Sequence, residues 1–267
     1  MVTYRYDDYV KNLIFGIYED ELLMKRIGTE FGFDMDHDVF VMMSLGFHDQ
    51  YNVTDEEKKL LHDAGKHITL LCYKTVPNYD PVIPFNNQVT VLLFAKDEQQ
   101  MRALLLSAEQ TALEDTEKFF SVCPVRIGEG NIGSGIQGIK ESYHQSVRAI
   151  RAGAIFKQHH RLLRFNNMEI YSILDEIMRV HRHSLFKTVL SQLTAAETDT
   201  LCMYYECKED VSKTAERRGL TTQAVMDDFA SVKSKLGLDV HDSEDNFKLH
   251  LVMLAVKAQR YIDERGV

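Results

Sequence analysis

One change of pattern, near residue 166, restricts the fold more than any other feature. Before it, short β-branched runs alternate with amphipathic stripes; after it, the apolar residues repeat at helical spacing. The runs DVFVMMSLGF, QVTVLLFAK, VCPVRIGEG and HHRLLRF read as strands, because their residues suit a pleated, buried surface. Between them lie helices. Tyr6, Val10, Leu13, Ile14 and Ile17 make one stripe, and a second short helix near 20–30 carries Leu22, Leu23 and Ile27. Thr54 with Glu57 forms a capping box, and Asp97 with Gln100 opens the next helix by related logic. Residues 135–156 place Ile139, Tyr143, Val147 and Ile150 inward. YKTVPNYDPVIPFNN holds three of the four prolines and reads as a loop or irregular hairpin. The expected fold class is α+β: an N-terminal α/β sheet domain over 1–166, a connector over 167–184 and an all-α domain over 185–267. In the last of these, Thr194 with Glu197 opens a helix. Asp242 or Ser243 can cap the final one, which is apolar nearly all round and so buried or shared with a partner.

Charge and composition narrow the function. The residues are 45% hydrophobic and 27% charged, enough apolar side chain for a sizeable core. No apolar run approaches the ~18 residues of a membrane span. The opening MVTYRYDDYV lacks a secretory signal, and four scattered cysteines suit a reducing compartment, so a cytoplasmic protein is expected. A net charge of −9 argues against nonspecific coating of a polyanion. Basic residues gather instead between 126 and 164 (Arg126, Lys140, Arg148, Arg151, Lys157, Arg161, Arg164), against only Glu129 and Glu141. Residues 181–267 hold 12 basic and 14 acidic side chains.

Few residues are spaced for recognisable chemistry. Gly128, Gly130 and Gly133 fit G-x-G-x-x-G between a strand and a helix, the arrangement that lets backbone amides approach a pyrophosphate. The acidic residue that should follow about 20 positions later is missing, and the glycines run on through Gly135 and Gly138 like an irregular turn. Cys202 and Cys207 lie about 140° apart on a helix, poorly placed to share a metal with His181 and His183. Core thiols and surface imidazoles are the plainer reading. His159 and His160 border a strand with no partner nearby in sequence, and Asp34, Asp36 and Asp38 alternate as a solvated loop does. No G-x-S-x-G, H-E-x-x-H or P-loop occurs. No catalytic set, metal site or cofactor site is expected.

The stretch DVSKTAERRGLTTQAVMDDFASVKSKLG has the outline of a helix-turn-helix. Ala215 is small where two helices cross, Gly219 makes the turn, and Leu220, Val225, Phe229 and Val232 form a packing stripe. Helical hairpins of ordinary bundles share this outline. Asp227 and Asp228 stand side by side where a polyanion would be repelled.

At these residues the chain resembles the PucR-like, or sugar-diacid regulator, family of bacterial transcription regulators. VSKTAERRGL, KSKLGLDV and HDSEDNFKLHLVMLAV are similar to its C-terminal helix-turn-helix. VRIGEG, GIQGIKESYHQSVRAIRAG and LLRFNNMEIYSIL are similar to its central domain, which is related in fold to nucleotide cyclases (a degenerate GGDEF-like fold). The resemblance implies a DNA-binding regulator acting as a homodimer or higher homo-oligomer, with a small-molecule effector possible and no membrane partner. The sensing domain that precedes the central domain in many members is not in this sequence, consistent with a fragment or a short paralogue. The reading helix lacks the family's arginine. Its contacts would fall to Thr221, Thr222 and Gln223 at the bases and phosphates, with Lys213, Arg217, Arg218, Lys233 and Lys235 along the backbone. Where the central domain would carry a GG[DE]EF signature the chain reads PFNNQ, so no cyclase activity is expected. Two alternatives stay open: an interaction protein whose helix-turn-helix no longer reads DNA, and a nucleotide-binding enzyme using Gly128–Gly133.

Overall fold

The computed structural model describes residues 4–47, 53–85, 87–117, 125–157, 160–180 and 191–263. Cys123, His159, His181 and His183 lie outside them. The chain divides into two compact units, Met1–Ser172 and Ile173–Val267. Among the described residues no helix is long and apolar enough to cross a membrane.

The N-terminal unit is a six-stranded sheet covered by helices on both faces. Its elements are α1 (Tyr6–Phe15), α2 (Glu21–Glu30), β1 (Val39–Gly46), α3 (Asp55–Leu70), β2 (Val82–Pro84), β3 (Gln88–Ala95) and α4 (Glu98–Asp115). Then follow β4 (Arg126–Glu129), β5 (Gly133–Ser134), α5 (Gly135–Phe156), β6 (Leu162–Arg164) and α6 (Phe165–Val180), which runs across the division between units. The strand order is β2-β3-β1-β4-β6, with β5 also on β1; only β4 and β6 are parallel. Two β–helix–β connections thus interleave, a split βαβ arrangement. The proline-rich stretch contributes β2 to this sheet.

Period-two alternation sorts the core. Val41, Met43 and Leu45 of β1 and Val89, Val91 and Leu93 of β3 meet α3 and α4 on one face. Phe40, Met42 and Leu92 meet α1, α2 and α5 on the other. Both faces are buried, so these strands read as continuous apolar runs. The box of Thr54 and Glu57 caps α3, and Asp97 accepts the Gln100 N–H at 2.8 Å to cap α4.

Several expected positions are corrected. In α2 the buried stripe is Met24, Ile27 and Gly28, while Leu22 and Leu23 point outward, because Asp20 caps the helix and turns its first residues away from the core. Ile17 is exposed past the left-handed Gly16 that ends α1. Asp38 is buried rather than solvated; it accepts Lys96 Nζ at 2.7 Å and the Asp34 N–H at 2.8 Å. The basic cluster is largely used inside its own unit. Arg126 is buried, Arg161 donates to the Leu113 carbonyl and to Thr116, and Arg164 binds Glu109.

Arg164 and Glu129 face each other across β4 and β6, beside Glu109 of α4. Burial, then the neighbouring Glu109 carboxylate, pushes Glu129 up to about 8, against the pull of Arg164. A carboxyl raised on folding lends stability that is full below its unfolded value and lost as pH rises through its folded one. Melting temperature should therefore fall between about 4.5 and about 8. Glu129→Gln, followed by thermal melts across that range, should flatten the decline and raise the melting point at the alkaline end. A variant that keeps the parent's slope would remove Glu129 as its source.

The C-terminal unit is helical: α7 (Ala195–Glu206), α8 (Val211–Arg218), α9 (Thr222–Leu236) and α10 (Ser243–Asp263). Leu201, Tyr204, Ala215, Val225, Phe229, Val232, Leu249 and Met253 close its core. Thr194 and Glu197 form the capping box of α7, and Asp242 Oδ1 accepts two amides at the start of α10. In α10 Leu249, Met253 and Val256 are buried on the core face and Ala255 and Ala258 are buried off it, while Phe247 and Lys248 in its first turns are exposed.

Candidate functional site

Helices α8 and α9 are joined by Gly219, Leu220 and Thr221. Gly219 has φ 65°, a left-handed turn that closes α8, and a Cβ there would meet nothing within 4 Å. Glycine is therefore needed for conformation, not space. Thr221 Oγ1 accepts the Ala224 N–H at 3.1 Å and caps α9. Its hydroxyl proton remains available to an acceptor such as a phosphate. Leu220, expected in the packing stripe, is 39% exposed, because the turn carries it past the core that Val225, Phe229 and Val232 fill.

The inward stripe of α9 leaves Thr222, Gln223, Met226, Asp227 and Ala230 on its outer face. Met226 and Ala230 escape the sequence reading, although spacings of three and seven from Gln223 put them on one face. Asp227 and Asp228 do not act together. Asp228 is half-buried and accepts the Thr200 hydroxyl at 2.7 Å, whereas Asp227 is exposed and accepts Gln223 Nε2 at 2.9 Å. One carboxylate, not two, faces outward.

Thr221, Thr222 and Gln223 come together at the N-terminal tip of α9; the expected lysines do not join them. Lys213 Nζ lies 3.1 Å from Asp210, on α8. Lys233, on the last turn of α9, binds Asp239 at 2.6 Å, and this bond holds the Asp239 carboxyl below its ordinary range. Lys235 turns toward α7 and reaches both oxygens of buried Glu197 at 2.6 and 2.7 Å. Arg218 donates to the Ala196 carbonyl and lies 3.5 Å from Asp199. Cys202 Sγ is 3.7 Å from Met253 Sδ, and Cys207 is buried, which makes both core thiols.

In the N-terminal unit, the glycine run has a structural use. A Cβ on Gly128 would stand 2.1 Å from the Ser146 carbonyl oxygen, and one on Gly130 2.1 Å from that of Ser142. The missing side chains make room for α5, which lies directly on β4. That contact lets Ser142 Oγ accept the Met42 N–H at 2.9 Å and Ser146 Oγ meet Ser44 Oγ at 2.8 Å. At the β2–β3 turn Phe85 is stacked on Tyr143, ring centroids 5.4 Å apart. A small cavity of about 280 Å³ beside that turn includes Lys58, His62 and Asn87 in its lining and no carboxylate.

The model of the GGDEF-like domain family matches residues 16–152, just over half of the chain. The chain belongs to the GGDEF-like domain family. The match lies wholly within the N-terminal unit and does not reach the C-terminal one. In this GGDEF-like domain, the cavity lined by Pro84, Phe85, Asn87 and Gln88 lies where the sequence reads PFNNQ. A solved structure, the regulator of polyketide synthase expression from Bifidobacterium adolescentis, is similar with a TM-score of 0.40 and 12% identity, over 96% of this chain and 92% of that one. No curated protein matches.

Proposed function

We propose that the protein is a transcriptional regulator of the PucR-like type that docks on duplex DNA through the N-terminal tip of α9. The GGDEF-like domain would be its non-catalytic scaffold for homo-oligomerisation or effector sensing. The observation that carries the reading is the three-residue turn at Gly219–Thr221. It presents Thr222 and Gln223 outward while Asp228 folds toward Thr200. Gln223 offers an amide suited to an adenine edge; the threonine hydroxyls suit phosphates and the threonine methyls a thymine methyl. The order of motifs across both units supports the same reading, as does membership of the GGDEF-like family.

The test is binding of the full-length oligomer to a duplex from its own upstream region, measured by gel shift and anisotropy at several salt concentrations. Sequence-selective binding is expected, with a shallow salt dependence because few lysines are free to displace counterions. Gln223→Ala should cost about 1–3 kcal/mol of discrimination at one base position. Asp227→Arg should tighten binding to all sequences and steepen the salt slope by about 1. No selective binding at low salt would sink the reading.

The internal pairing of Lys233 and Lys235 favours a second reading, an interaction protein whose helix-turn-helix no longer reads DNA. It predicts a parent without salt-dependent binding, and DNA affinity appearing only when Asp227 becomes cationic.

A further inference from the structure

We propose that the GGDEF-like domain holds a binding site for a small, flat aromatic monoanion, at the end of β3 remote from the β2–β3 turn. The cavity measures about 630 Å³, within the few hundred to ~1,000 Å³ of ordinary ligand sites. It opens between the end of α3, the last residues of β3 and the first turns of α4. Binding at this site involves the GGDEF-like domain alone, whether or not the other unit reads DNA.

The lining determines what fits. Tyr73 and Phe94 stand edge to face, their ring centroids 5.3 Å apart, and Leu71 and Leu104 add apolar wall. Tyr73 is held in place. Its hydroxyl lies 2.9 Å from that of Tyr79, which also binds the Phe31 carbonyl at 2.8 Å. A wall fixed before the ligand arrives lowers the ordering cost of binding. Aromatic walls favour a flat ring, which can stack on them or meet their edges.

Charge selects the sign. Lys74 and Lys96 line the cavity, and no lining residue carries a carboxylate. Lys96 is tethered by buried Asp38 at 2.7 Å, so its charge is matched. Lys74 is exposed and makes no ion pair among the described residues. The nearest acids of α4 are engaged elsewhere: Asp97 caps the helix through Gln100, and Glu98 pairs with Arg102. Cys72, also in the lining, is pushed up to about 12 by burial and adds no negative charge. One uncompensated cation beside an aromatic wall suits one carboxylate or sulfonate on a ring system. It does not suit a cation or a polyphosphate.

The test uses the full-length protein with naphthoate as probe and neutral naphthylmethanol as control, both titrated by calorimetry. Naphthoate should bind saturably and at least about tenfold tighter than the alcohol. Lys74→Glu, a surface change that leaves the core intact, should abolish that preference and leave the alcohol's weak binding unchanged. Leu104→Trp should fill the cavity and remove both. Absence of saturable naphthoate binding, equal binding of acid and alcohol, or an unaltered preference in Lys74→Glu would each overturn the proposal.

Discussion

Gly130→Ala is expected to destabilise the GGDEF-like domain by about 2–6 kcal/mol, a large share of the ~5–15 kcal/mol typical of a folded chain. The new methyl would lie 2.1 Å from the Ser142 carbonyl oxygen and 2.4 Å from Ser142 Oγ. The carbonyl belongs to helix backbone, so no rotamer change relieves the clash. The helix itself must retreat, and with it goes the bond from the Met42 N–H to Ser142 Oγ. Overpacking alone costs about 1–3 kcal/mol or more, and a buried amide left without its acceptor adds about 1–3 kcal/mol. Gly128→Ala should behave alike, its methyl 2.1 Å from the Ser146 carbonyl oxygen. Gly219→Ala supplies the contrast. It meets nothing within 4 Å and carries only the left-handed penalty, about 1–2 kcal/mol. Urea unfolding of the three variants, followed by circular dichroism, separates the cases. The same experiment weighs the nucleotide alternative. Glycines kept for a pyrophosphate would tolerate the methyl in the fold and lose only a nucleotide-dependent rise in melting temperature. A Gly130→Ala chain with the parent's unfolding midpoint would refute the packing account.

The elements that were legible in the sequence are those with local causes. Thr54 with Glu57 and Thr194 with Glu197 sit three residues apart, and both boxes form as expected. The long helix Gly135–Phe156 follows from periodicity over many residues, and the strands β1 and β3 from their continuous β-branched, apolar runs. Exposure of Thr222 and Gln223 was legible for the same reason, since Val225, Phe229 and Val232 fix the opposite face. What escaped was pairing across long separations. Nothing near Lys235 announces Glu197, 38 residues earlier, or tells Asp228 to face Thr200. Neighbouring residues on a helix point about 100° apart, so the Asp227–Asp228 pair could not repel as one patch unless both faced outward. The glycine pattern left two readings open because phosphate approach and helix approach both require a missing side chain. Only the assembled fold decides which body fills the gap.

Glu197→Ala should destabilise the C-terminal unit by about 2–4 kcal/mol. Glu197 carries two duties at once. Its Oε2 accepts the Thr194 N–H at 2.7 Å, completing the box that starts α7. The same carboxylate accepts Ser231 Oγ at 2.6 Å and Lys235 Nζ, tying α9 to α7. Loss of a cap costs about 1 kcal/mol. Removing one partner of a buried pair costs up to ~3–5 kcal/mol, but Lys235 is 34% exposed and can turn to water, which sets the lower total. Burial works against the charge on Glu197, yet Lys235, Ser231 and the Thr194 amide outweigh it and hold the carboxyl at about 2. A carboxyl depressed on folding lends stability above its unfolded value and loses it as pH falls through the folded one. The parent should therefore weaken between about 4.5 and about 2, and Glu197→Gln should lack most of that acid limb. This bears directly on DNA reading. If Lys235 were a phosphate contact, Lys235→Ala would lower affinity for all sequences and reduce the salt slope by about 1. As a partner of Glu197 it should instead lower the melting temperature, leaving the folded protein's salt slope unchanged. A reduced slope at an unaltered melting point would return Lys235 to the nucleic-acid face.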